Sequence, residues 1–461
     1  MLYALVALIL ILGLLVHGAK PSKTLAWILA ILTVPVGGIL FYWVLGRNRR
    51  RKKLSIDKLT LPGEPEPTSA SLPVDSLLIQ KVVRIAYNHN QLAPSQDNAL
   101  RLLTDGKSTF EAIFQALEGA RDHIHLQYYI FEEGELTQRL LELFKLKITQ
   151  GVRVRLIYDV IGSLTLSAAY RRKLEKAGVE VFPFLPFRFG RFLESLNHRN
   201  HRKIIVVDNR VAFTGGINMS DKYLKGDPVL GNWHDLYLRI SGRAAWHLNR
   251  IFVEDWYMVS GQDIFDPQWE QARITPAPGK VAIQILHGGP DDDFASLEWV
   301  YLAALLNAQH YVYIINPYII PGPALQKAMV AASRSGIDVR VLLSESSDSR
   351  IVGWSVRSYF EGFLKAGIKI YLYPEGFLHS KMVVADDNFA MVGTANLDSR
   401  SLEHNFEVNA LVYDEAVAQK LKEDFLKEIN ISRMLAYHEF RDRSWGARLK
   451  EGIGRVLSPL L

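Results

Sequence analysis

The sequence predicts an α/β protein in which an N-terminal transmembrane helical hairpin precedes two tandem α/β domains that form one active site with pseudo-twofold symmetry. Three observations support this prediction: two apolar runs at the N-terminus, β-branched strands that alternate with helices, and one polar pattern that occurs twice. The predicted boundaries are 1–54 for the hairpin, 55–75 for a linker, 76–265 for the first domain and 266–461 for the second.

Two apolar runs, residues 2–17 and 24–46, are predicted to be the transmembrane helices of the hairpin. The second run has about the length needed to cross a hydrocarbon core, and the first is slightly short. Trp27 and the pair Tyr42 and Trp43 lie near the ends of the second run, as interfacial aromatic residues do. A signal peptide is the alternative for the first run, but no basic residue precedes that run and a second apolar run follows it at once.

Basic residues follow the hairpin directly, since residues 46–53 read Gly-Arg-Asn-Arg-Arg-Arg-Lys-Lys, whereas the hairpin loop has only Lys20 and Lys23. The positive-inside rule therefore predicts a multi-pass protein of a cell membrane with everything after Arg47 on the cytoplasmic side. Residues 55–73 contain four prolines and no apolar periodicity, which is typical of a tether.

The rest of the chain contains a duplication with a period of about 180 residues. Residues 174–182, LEKAGVEVF, resemble residues 363–371, FLKAGIKIY, and similar strands precede both segments. Strands rich in β-branched residues that alternate with helices predict a sheet covered by helices on both faces. Ser108 and Glu111 have the spacing of a capping box and predict the start of one of these helices.

A polar pattern of fixed spacing, His-x-Lys-x4-Asp-x6-Gly-x2-Asn, occurs once in each half. Because residues i and i+2 of a strand share a face, the histidine and lysine of each copy should point the same way. The aspartate that follows belongs to a turn, and the returning strand ends at the glycine and asparagine. The first copy has His201, Lys203, Asp208 and Asn218, and the second has His379, Lys381, Asp386 and Asn396.

Two imidazoles, two fixed cations and two amides around one pocket suit a phosphodiester substrate. The lysines and asparagines would bind the non-bridging oxygens and stabilise charge in the transition state. One histidine would attack phosphorus while the other protonates the departing oxygen, and these residues alone leave open which does which. Each histidine needs a carboxylate on its far nitrogen. The first half offers Asp235 and the second offers Glu407, each on the strand after the asparagine.

The same reasoning predicts no cofactor and no catalytic metal. The two lysines supply the positive charge that a metal would otherwise give. The chain has no cysteine, which excludes disulfides, thiolate metal sites and a cysteine nucleophile. Residues 105–109, DGKST, lack the first glycine of a phosphate loop because Arg101 stands there, so we predict a turn into a helix. The three aspartates within 290–294 are predicted to form a solvated turn at a helix N-terminus.

The doubled pattern resembles the paired HKD motif of the phospholipase D superfamily. Within that superfamily the sequence is similar to bacterial cardiolipin synthases along essentially the whole chain, for example in PVGGILFYWVLGRN, NHRNHRKIIVVDN, GTANLDSRSLEHNFEVN and the final SPLL. The resemblance implies two phospholipase D-like α/β sandwich domains. It also implies transfer of a phosphatidyl group between two phosphatidylglycerols, with release of glycerol, through a phosphohistidine.

Roles for individual residues also follow from this resemblance. His201, in the first half, would be the nucleophile and His379 the acid and base. Both aspartates of the motif, Asp208 and Asp386, would join the catalytic set, whereas their place in the sequence suggests that they brace a turn or the lysine.

The predicted partners are phosphatidylglycerol and other anionic phospholipids of a membrane. A net charge of +6 and a pI of about 9.1 suit an anionic partner. Residues 183–197, rich in phenylalanine and arginine, would form either a partly buried loop or a lip that dips into the bilayer beside the pocket. No nucleic acid is expected, because the basic residues are scattered rather than gathered with aromatics in a groove.

Three other functions compete with lipid transfer. A phospholipase D that uses water as the acceptor would need the same residues, and the motif alone does not distinguish transfer from hydrolysis. A membrane-tethered nuclease would use the same chemistry on another phosphodiester. A non-catalytic membrane scaffold is disfavoured by the intact motif in both halves.

Overall fold

The computed structural model describes residues 2–17, 21–34, 36–42, 59, 61–67, 76–184, 198–272 and 279–458. It consists of two compact units, Met1–Ser55 and Ile56–Leu461.

The N-terminal unit consists of short apolar helices. They are α1 (Leu2–His17), α2 (Pro21–Thr33) and α3 (Gly37–Phe41). Ala7, Leu14 and Ile31 are buried together, and the rings of Trp27 and Tyr42 meet edge to face at 5.6 Å.

The apolar run 24–46 was predicted to be one helix, but it is divided between α2 and α3. Proline at position 35 disfavours helical backbone at the residue before it, which explains the break. Within the part of the chain that the structure describes, no helix combines the length and the apolarity needed to cross a membrane. The basic run 46–53 lies outside the described residues.

Part of the predicted tether packs against the body. Residues 61–67 form neither helix nor strand, yet Leu61 and Glu64 are buried. The Glu64 carboxylate accepts a hydrogen bond from the Ala93 amide at 3.0 Å and pairs with Arg243 and with His247. A prediction from proline content alone missed this contact, because a single buried carboxylate has no periodic signature.

Both halves of the larger unit repeat one succession of elements. The first half contains α4 (Leu77–Asn90), β1 (Ser95–Leu103), α5 (Gly106–Glu118), β2 (His123–Tyr128), α6 (Glu135–Thr149), β3 (Arg153–Asp159), α7 (Ala168–Lys176), β4 (Glu180–Phe184), β5 (Arg199–Asn200), β6 (Ile204–Val207), β7 (Val211–Gly215), α8 (Lys222–Lys225), β8 (Trp233–His234), β9 (Tyr237–Ser241), α9 (Arg243–Ser260) and α10 (Pro267–Ala272).

The second half follows the same plan with a longer C-terminal end. It contains β10 (Val281–Gly288), α11 (Ser296–Asn307), β11 (Tyr311–Ile315), β12 (Ile319–Ile320), α12 (Pro323–Arg334), β13 (Asp338–Ser344), α13 (Arg350–Ala366), β14 (Lys369–Tyr373), β15 (Phe377–Leu378), β16 (Met382–Ala385), β17 (Phe389–Gly393), β18 (Leu397–Asp398), α14 (Ser399–Glu403), β19 (Asn405–Val412), α15 (Glu415–Ile431), β20 (Arg433–Met434), α16 (Tyr437–Arg441) and α17 (Trp445–Leu457).

One mixed sheet joins the halves in the order β20-β14-β13-β11-β16-β17-β19-β10-β1-β9-β7-β6-β2-β3-β4, and β5 also pairs with β19. The order reads the same outward from the β10–β1 junction, since β14, β13, β11, β16, β17 and β19 correspond to β4, β3, β2, β6, β7 and β9. The parallel strands lie toward both edges and the antiparallel strands lie at the centre. The predicted duplication is therefore a pseudo-twofold arrangement of two α/β halves.

Helices cover both faces of this sheet. On one face of the first half, α5, α6 and α7 contribute Phe110, Leu140 and Leu174 to the core. On the other face, α9 and α15 contribute Leu248 and Phe425 to a second core, which contains residues of both halves. The layered architecture agrees with the prediction from strand and helix alternation.

Two local predictions had different outcomes. The turns after the motif strands are tight, with positive φ of 52° and 55° at Asp208 and Asn209 and of 52° and 58° at Asp386 and Asp387. Paired positive φ values are typical of a two-residue hairpin turn, as predicted. The prediction of a capping box at Ser108 was wrong, because α5 begins earlier. The Asp105 carboxylate accepts a hydrogen bond from the Ser108 amide at 2.8 Å.

Candidate active site

The two motif histidines follow short strands that cross from one half to the other. In the first half, β5 pairs with β19 of the second half, and in return β15 pairs with β8. The His201 amide donates to the Phe406 carbonyl at 2.9 Å, and the His379 amide donates to the His234 carbonyl at 2.7 Å. Each histidine backbone is thus held by the strand region that carries the carboxylate of the other half.

The histidine–carboxylate pairs cross in the same way. His201 Nδ1 lies 3.0 Å from the Glu407 carboxylate, and His379 Nδ1 lies 2.8 Å from Asp235 Oδ2. The sequence analysis predicted one carboxylate in each half but not that each would pair with the histidine of the other half. With Nδ1 occupied on each ring, Nε2 is the nitrogen available for chemistry. Among the described residues, each motif histidine therefore takes its carboxylate from the other half.

A hydroxyl group supports each carboxylate, and the two halves supply it differently. Thr394 Oγ1 donates to Glu407, whereas the Tyr223 hydroxyl lies 3.4 Å from Asp235 Oδ2 and 3.3 Å from His379 Nδ1. Gly216 takes the place that Thr394 has in the other half. A β-carbon there would stand 2.0 Å from Asp235 Oδ1, so a side chain at position 216 would displace the Asp235 carboxylate.

Tyr223 is the functional neighbour that the sequence did not reveal. It lies on α8, a short helix outside the repeated pattern, and nothing in its spacing links it to a histidine 156 residues away. Thr394, in contrast, lies inside the motif at the position after Gly393, where its hydroxyl was a readable signal.

Both lysines are buried in the site. Lys203 Nζ donates to the His201 carbonyl at 2.9 Å, and Lys381 Nζ donates to the His379 carbonyl. Burial lowers the pKa of Lys203 to about 7 and that of Lys381 to about 8, although Glu407 and Asp235 both act to raise these pKa values. These ammonium groups are poised to gain an anionic partner.

Burial also makes the two imidazoles weak bases. Burial, together with the charge of the neighbouring lysine, lowers the pKa of His201 to about 4 and that of His379 to about 3, although the paired carboxylates Glu407 and Asp235 act to raise these values. Both rings are therefore neutral at neutral pH in the free protein. An anionic phosphodiester between them would raise both pKa values, so a proton can be taken up as substrate binds.

The motif aspartates make their hydrogen bonds to backbone amides. The Asp208 carboxylate accepts hydrogen bonds from the amides of Asp122 at 2.8 Å and His123 at 2.9 Å. Asp386 accepts equivalent bonds from His310 and Tyr311. About 16 Å of extended chain separates each aspartate from its lysine, at about 3.3 Å per residue. Both aspartates thus hold the backbone next to the motif strands, and a part for them in catalysis stays a prediction.

The two motif asparagines are buried near the ends of the returning strands. Asn218 Oδ1 accepts from the Ile130 amide at 3.3 Å, and its Nδ2 donates to the Tyr223 hydroxyl at 3.4 Å. Asn396 Oδ1 has no hydrogen-bond partner among the described residues. Asn218 is therefore linked to His379 through Tyr223.

Two other predicted features can be placed only in part. Most of the phenylalanine- and arginine-rich segment, residues 185–197, lies outside the described residues. The acidic turn includes Asp292, which accepts from the Gly289 amide and pairs with His89 at 3.1 Å. Across the described ranges, no group of three or more histidine, aspartate or glutamate side chains is arranged to hold a metal ion.

The lysine pKa values predict an alkaline limit to activity. Lysines with pKa near 7 and 8 lose their charge as pH rises, so kcat/KM should decline about tenfold per pH unit between these two values and approach a hundredfold per pH unit above both. The arginine in Lys203→Arg stays charged, so the decline of kcat/KM in this variant should begin near pH 8, the pKa of Lys381. A pH–rate profile of both proteins checks this, and an unchanged limb in the variant would refute the assignment to Lys203.

Comparison with known proteins gives a consistent picture. A family model described as "Cardiolipin synthase, PLD-like domain" matches residues 113–256 and 301–429, and one described as "Phospholipase D-nuclease N-terminal" matches residues 2–47. The chain is 40% identical over 451 residues to a cardiolipin synthase of Geobacillus kaustophilus, covering 96% of this chain and 89% of the relative.

Two further matches extend the comparison. The major cardiolipin synthase ClsA of Bacillus subtilis is 34% identical over 452 residues, covering 95% of this chain and 94% of its own. The crystal structure of phosphatidylserine synthase from Haemophilus influenzae superposes with a TM-score of 0.62 at 16% identity, over 82% of this chain and 97% of that one. At that identity the structural match supports the fold alone.

Proposed function

The chain belongs to the family of phospholipase D-like cardiolipin synthases, and on that premise we propose that it transfers a phosphatidyl group from one phosphatidylglycerol to another through a covalent histidine intermediate. It is a phosphatidyltransferase, and its products are cardiolipin and glycerol. The observation that carries the mechanism is the pair of crossed histidine–carboxylate contacts, because it brings two imidazoles into one site.

In the first step His201 Nε2 attacks phosphorus of the first phosphatidylglycerol. The bond from phosphorus to the glycerol oxygen breaks, and His379 gives that oxygen a proton. Glu407 holds the attacking ring in the tautomer whose Nε2 is free and stabilises the charge that develops on the ring. The assignment of His201 as nucleophile rests on the resemblance to the superfamily.

In the second step the hydroxyl of another phosphatidylglycerol attacks the phosphohistidine. His379, now neutral, accepts the proton of that hydroxyl, and the phosphorus–nitrogen bond breaks to leave His201 neutral. Asp235 and Tyr223 orient His379 for both transfers. Lys203 and Lys381 neutralise the phosphate oxygens, and we propose that Asn218 and Asn396 contribute amide donors.

The reaction should be reversible, because one phosphodiester replaces another of similar energy. Purified full-length protein in phosphatidylglycerol vesicles is expected to release one glycerol for each cardiolipin, and added glycerol should suppress cardiolipin and regenerate phosphatidylglycerol. Product analysis with a labelled headgroup checks this, with the His201→Ala/His379→Ala double variant as the inactive control. Phosphatidic acid as the main product would instead identify a hydrolase, and faster cleavage of single-stranded DNA would identify a nuclease.

We also propose that residues 1–54 anchor the enzyme in the bacterial cytoplasmic membrane as a hairpin, with the body on the cytoplasmic side. The apolar runs, the basic run after them and the match of an N-terminal family model to residues 2–47 support this proposal. Protease should leave a tag after Leu461 intact in spheroplasts and remove it after lysis. Cleavage in intact spheroplasts would refute this orientation.

A further inference from the structure

The helix α17, near the C-terminal end, exposes its apolar face to solvent, whereas a helix on the surface of a globular protein normally buries that face. Its larger apolar side chains, Trp445, Leu449, Ile453 and Val456, are 77%, 48%, 45% and 78% exposed. Positions 445, 449, 453 and 456 fall on one side of a helix with 3.6 residues per turn. We refer to these four residues as the α17 stripe.

The opposite face of α17 is small or polar and is packed against α13. Gly454 lies so close that a β-carbon would stand 2.5 Å from the Ser355 amide nitrogen. Glu451 is 3% exposed and pairs with Arg443 at 2.7 Å and with Arg357 at 3.5 Å. The ion pairs of the buried Glu451 side chain and the close backbone contact fix the rotation of the helix. The outward direction of the α17 stripe is therefore built into the packing.

Cationic side chains flank the α17 stripe. On the helical projection Arg448 and Arg455 lie on one side of the stripe and Lys450 lies on the other. Arg448 donates a hydrogen bond to the Arg441 carbonyl. The guanidinium carbon of Arg455 lies 5.3 Å from the centroid of the Tyr359 ring, and Lys450 Nζ lies 5.9 Å from the centroid of the Trp354 ring. An apolar stripe with a terminal tryptophan and basic flanks matches a surface that is apolar inside and anionic outside.

The far end of α17 lies toward the active site. The helix runs antiparallel to α13, because Arg443 pairs with Glu361 at 2.9 Å whereas Gly454 contacts Ser355. The C-terminal end of α17 thus reaches the start of α13, where Ile351 is also exposed, at 40%.

The start of α13 is in turn close to the catalytic histidine of the second half. It follows β13, whose last residue, Ser344, accepts a hydrogen bond from the Leu378 amide through its Oγ. Leu378 directly precedes His379. A bilayer in contact with the α17 stripe would therefore lie on the side of the second half at which the start of α13 approaches His379.

From these observations we propose that the α17 stripe is a membrane-docking surface that inserts into the interface of an anionic phospholipid bilayer and sets the active site at the level of the lipid headgroups. The proposal deepens the proposed function and rests on it for the identity of the lipid. Docking would be separate from anchoring by residues 1–54. It would orient the pocket rather than hold the protein on the membrane.

The absence of cysteine from the chain makes a direct test possible. An environment-sensitive fluorophore is placed on Ile453→Cys in the full-length protein, and the same fluorophore on Leu146→Cys serves as the matched control, since Leu146 is 53% exposed on α6. Both are reconstituted in phosphatidylglycerol vesicles that contain a lipid with a nitroxide on its acyl chain. Quenching of the label at 453 is expected to exceed that at 146 several-fold, and equal quenching at both positions would overturn the proposal.

Activity provides a second arm of the test. Leu449→Asp/Ile453→Asp is expected to lower turnover on phosphatidylglycerol vesicles about tenfold and to leave turnover of a monomeric short-chain phosphatidylglycerol unchanged. Leu146→Asp should change neither. Equal loss on vesicles and on the monomeric lipid would contradict docking, because it would show damage to the site itself.

The two arms separate this proposal from the proposed function. If vesicles yield no cardiolipin while the label at 453 is quenched, the function fails and the docking surface stands. A second copy of the chain could instead shield the label at 453, and intermolecular cross-linking from position 453 would show this. If that is found while cardiolipin forms normally, the docking proposal fails and the proposed function stands.

Discussion

Replacing either His201 or His379 by alanine is expected to lower cardiolipin formation by at least about 10⁴-fold, and the double replacement should be no worse than either single one. The reason is that one reaction needs both rings, one to carry the phosphatidyl group and one to move the proton. The rings belong to different halves, yet each is held by the other half through its backbone and its Nδ1 contact.

The measurement is initial rate on labelled phosphatidylglycerol vesicles at equal amounts of membrane-bound protein. His438→Ala is a matched control, since His438 is an exposed histidine on α16 and should retain full activity. Two independent half-sites would leave each single variant with about half of the activity. That outcome would defeat the shared pocket.

The carboxylates should matter almost as much. Asp235→Asn and Glu407→Gln are each expected to lower turnover about 10²- to 10⁴-fold, since an amide cannot hold the ring in the required tautomer or stabilise its positive charge. Because the pairs cross, Asp235→Asn should impair the proton transfers of His379, and Glu407→Gln should impair attack by His201.

A substrate with an activated leaving group separates these two defects. Departure of p-nitrophenol from a phosphatidyl-p-nitrophenol ester needs no general acid. The burst of p-nitrophenol should therefore be largely restored in Asp235→Asn and should remain slow in Glu407→Gln. The reverse pattern would mean that each carboxylate serves the histidine of its own half, or that His379 is the nucleophile.

Much of the site could be predicted because the polar pattern that forms it occurs twice in the sequence. A lone histidine and lysine on a strand would carry little information, but a spacing kept from His201 to Asn218 and again from His379 to Asn396 singled out the reactive groups. The hairpin turns were predictable for a local reason. Asp208 and Asp386 stand where positive φ is needed, and aspartate tolerates that conformation.

The crossing of the pairs was not predictable from one sequence. Glu407 is 206 residues from His201, and Asp235 is 144 residues from His379. The pairing of β5 with β19 and of β15 with β8 brings them together, and β5, β8 and β15, with two residues each, have no periodic signature. Tyr223 was missed for the same reason, since its contact depends on where α8 folds back.

Errors elsewhere had local causes. The helix start was placed at Ser108 by its capping-box spacing, whereas Asp105 provides the same hydrogen bond three residues earlier. The tether was read from its prolines, and the burial of Glu64 against α9 depends on Arg243 and His247, far along the chain.

The site of covalent attachment tests the central claim most directly. His379→Ala is mixed with phosphatidyl-p-nitrophenol, quenched at alkaline pH because phosphohistidine is labile in acid, and digested for mass spectrometry. One phosphatidyl group on His201, and none in His201→Ala/His379→Ala, is the predicted result. A phosphatidyl group on His379 in the His201→Ala variant, with none on His201 in the His379→Ala variant, would contradict it.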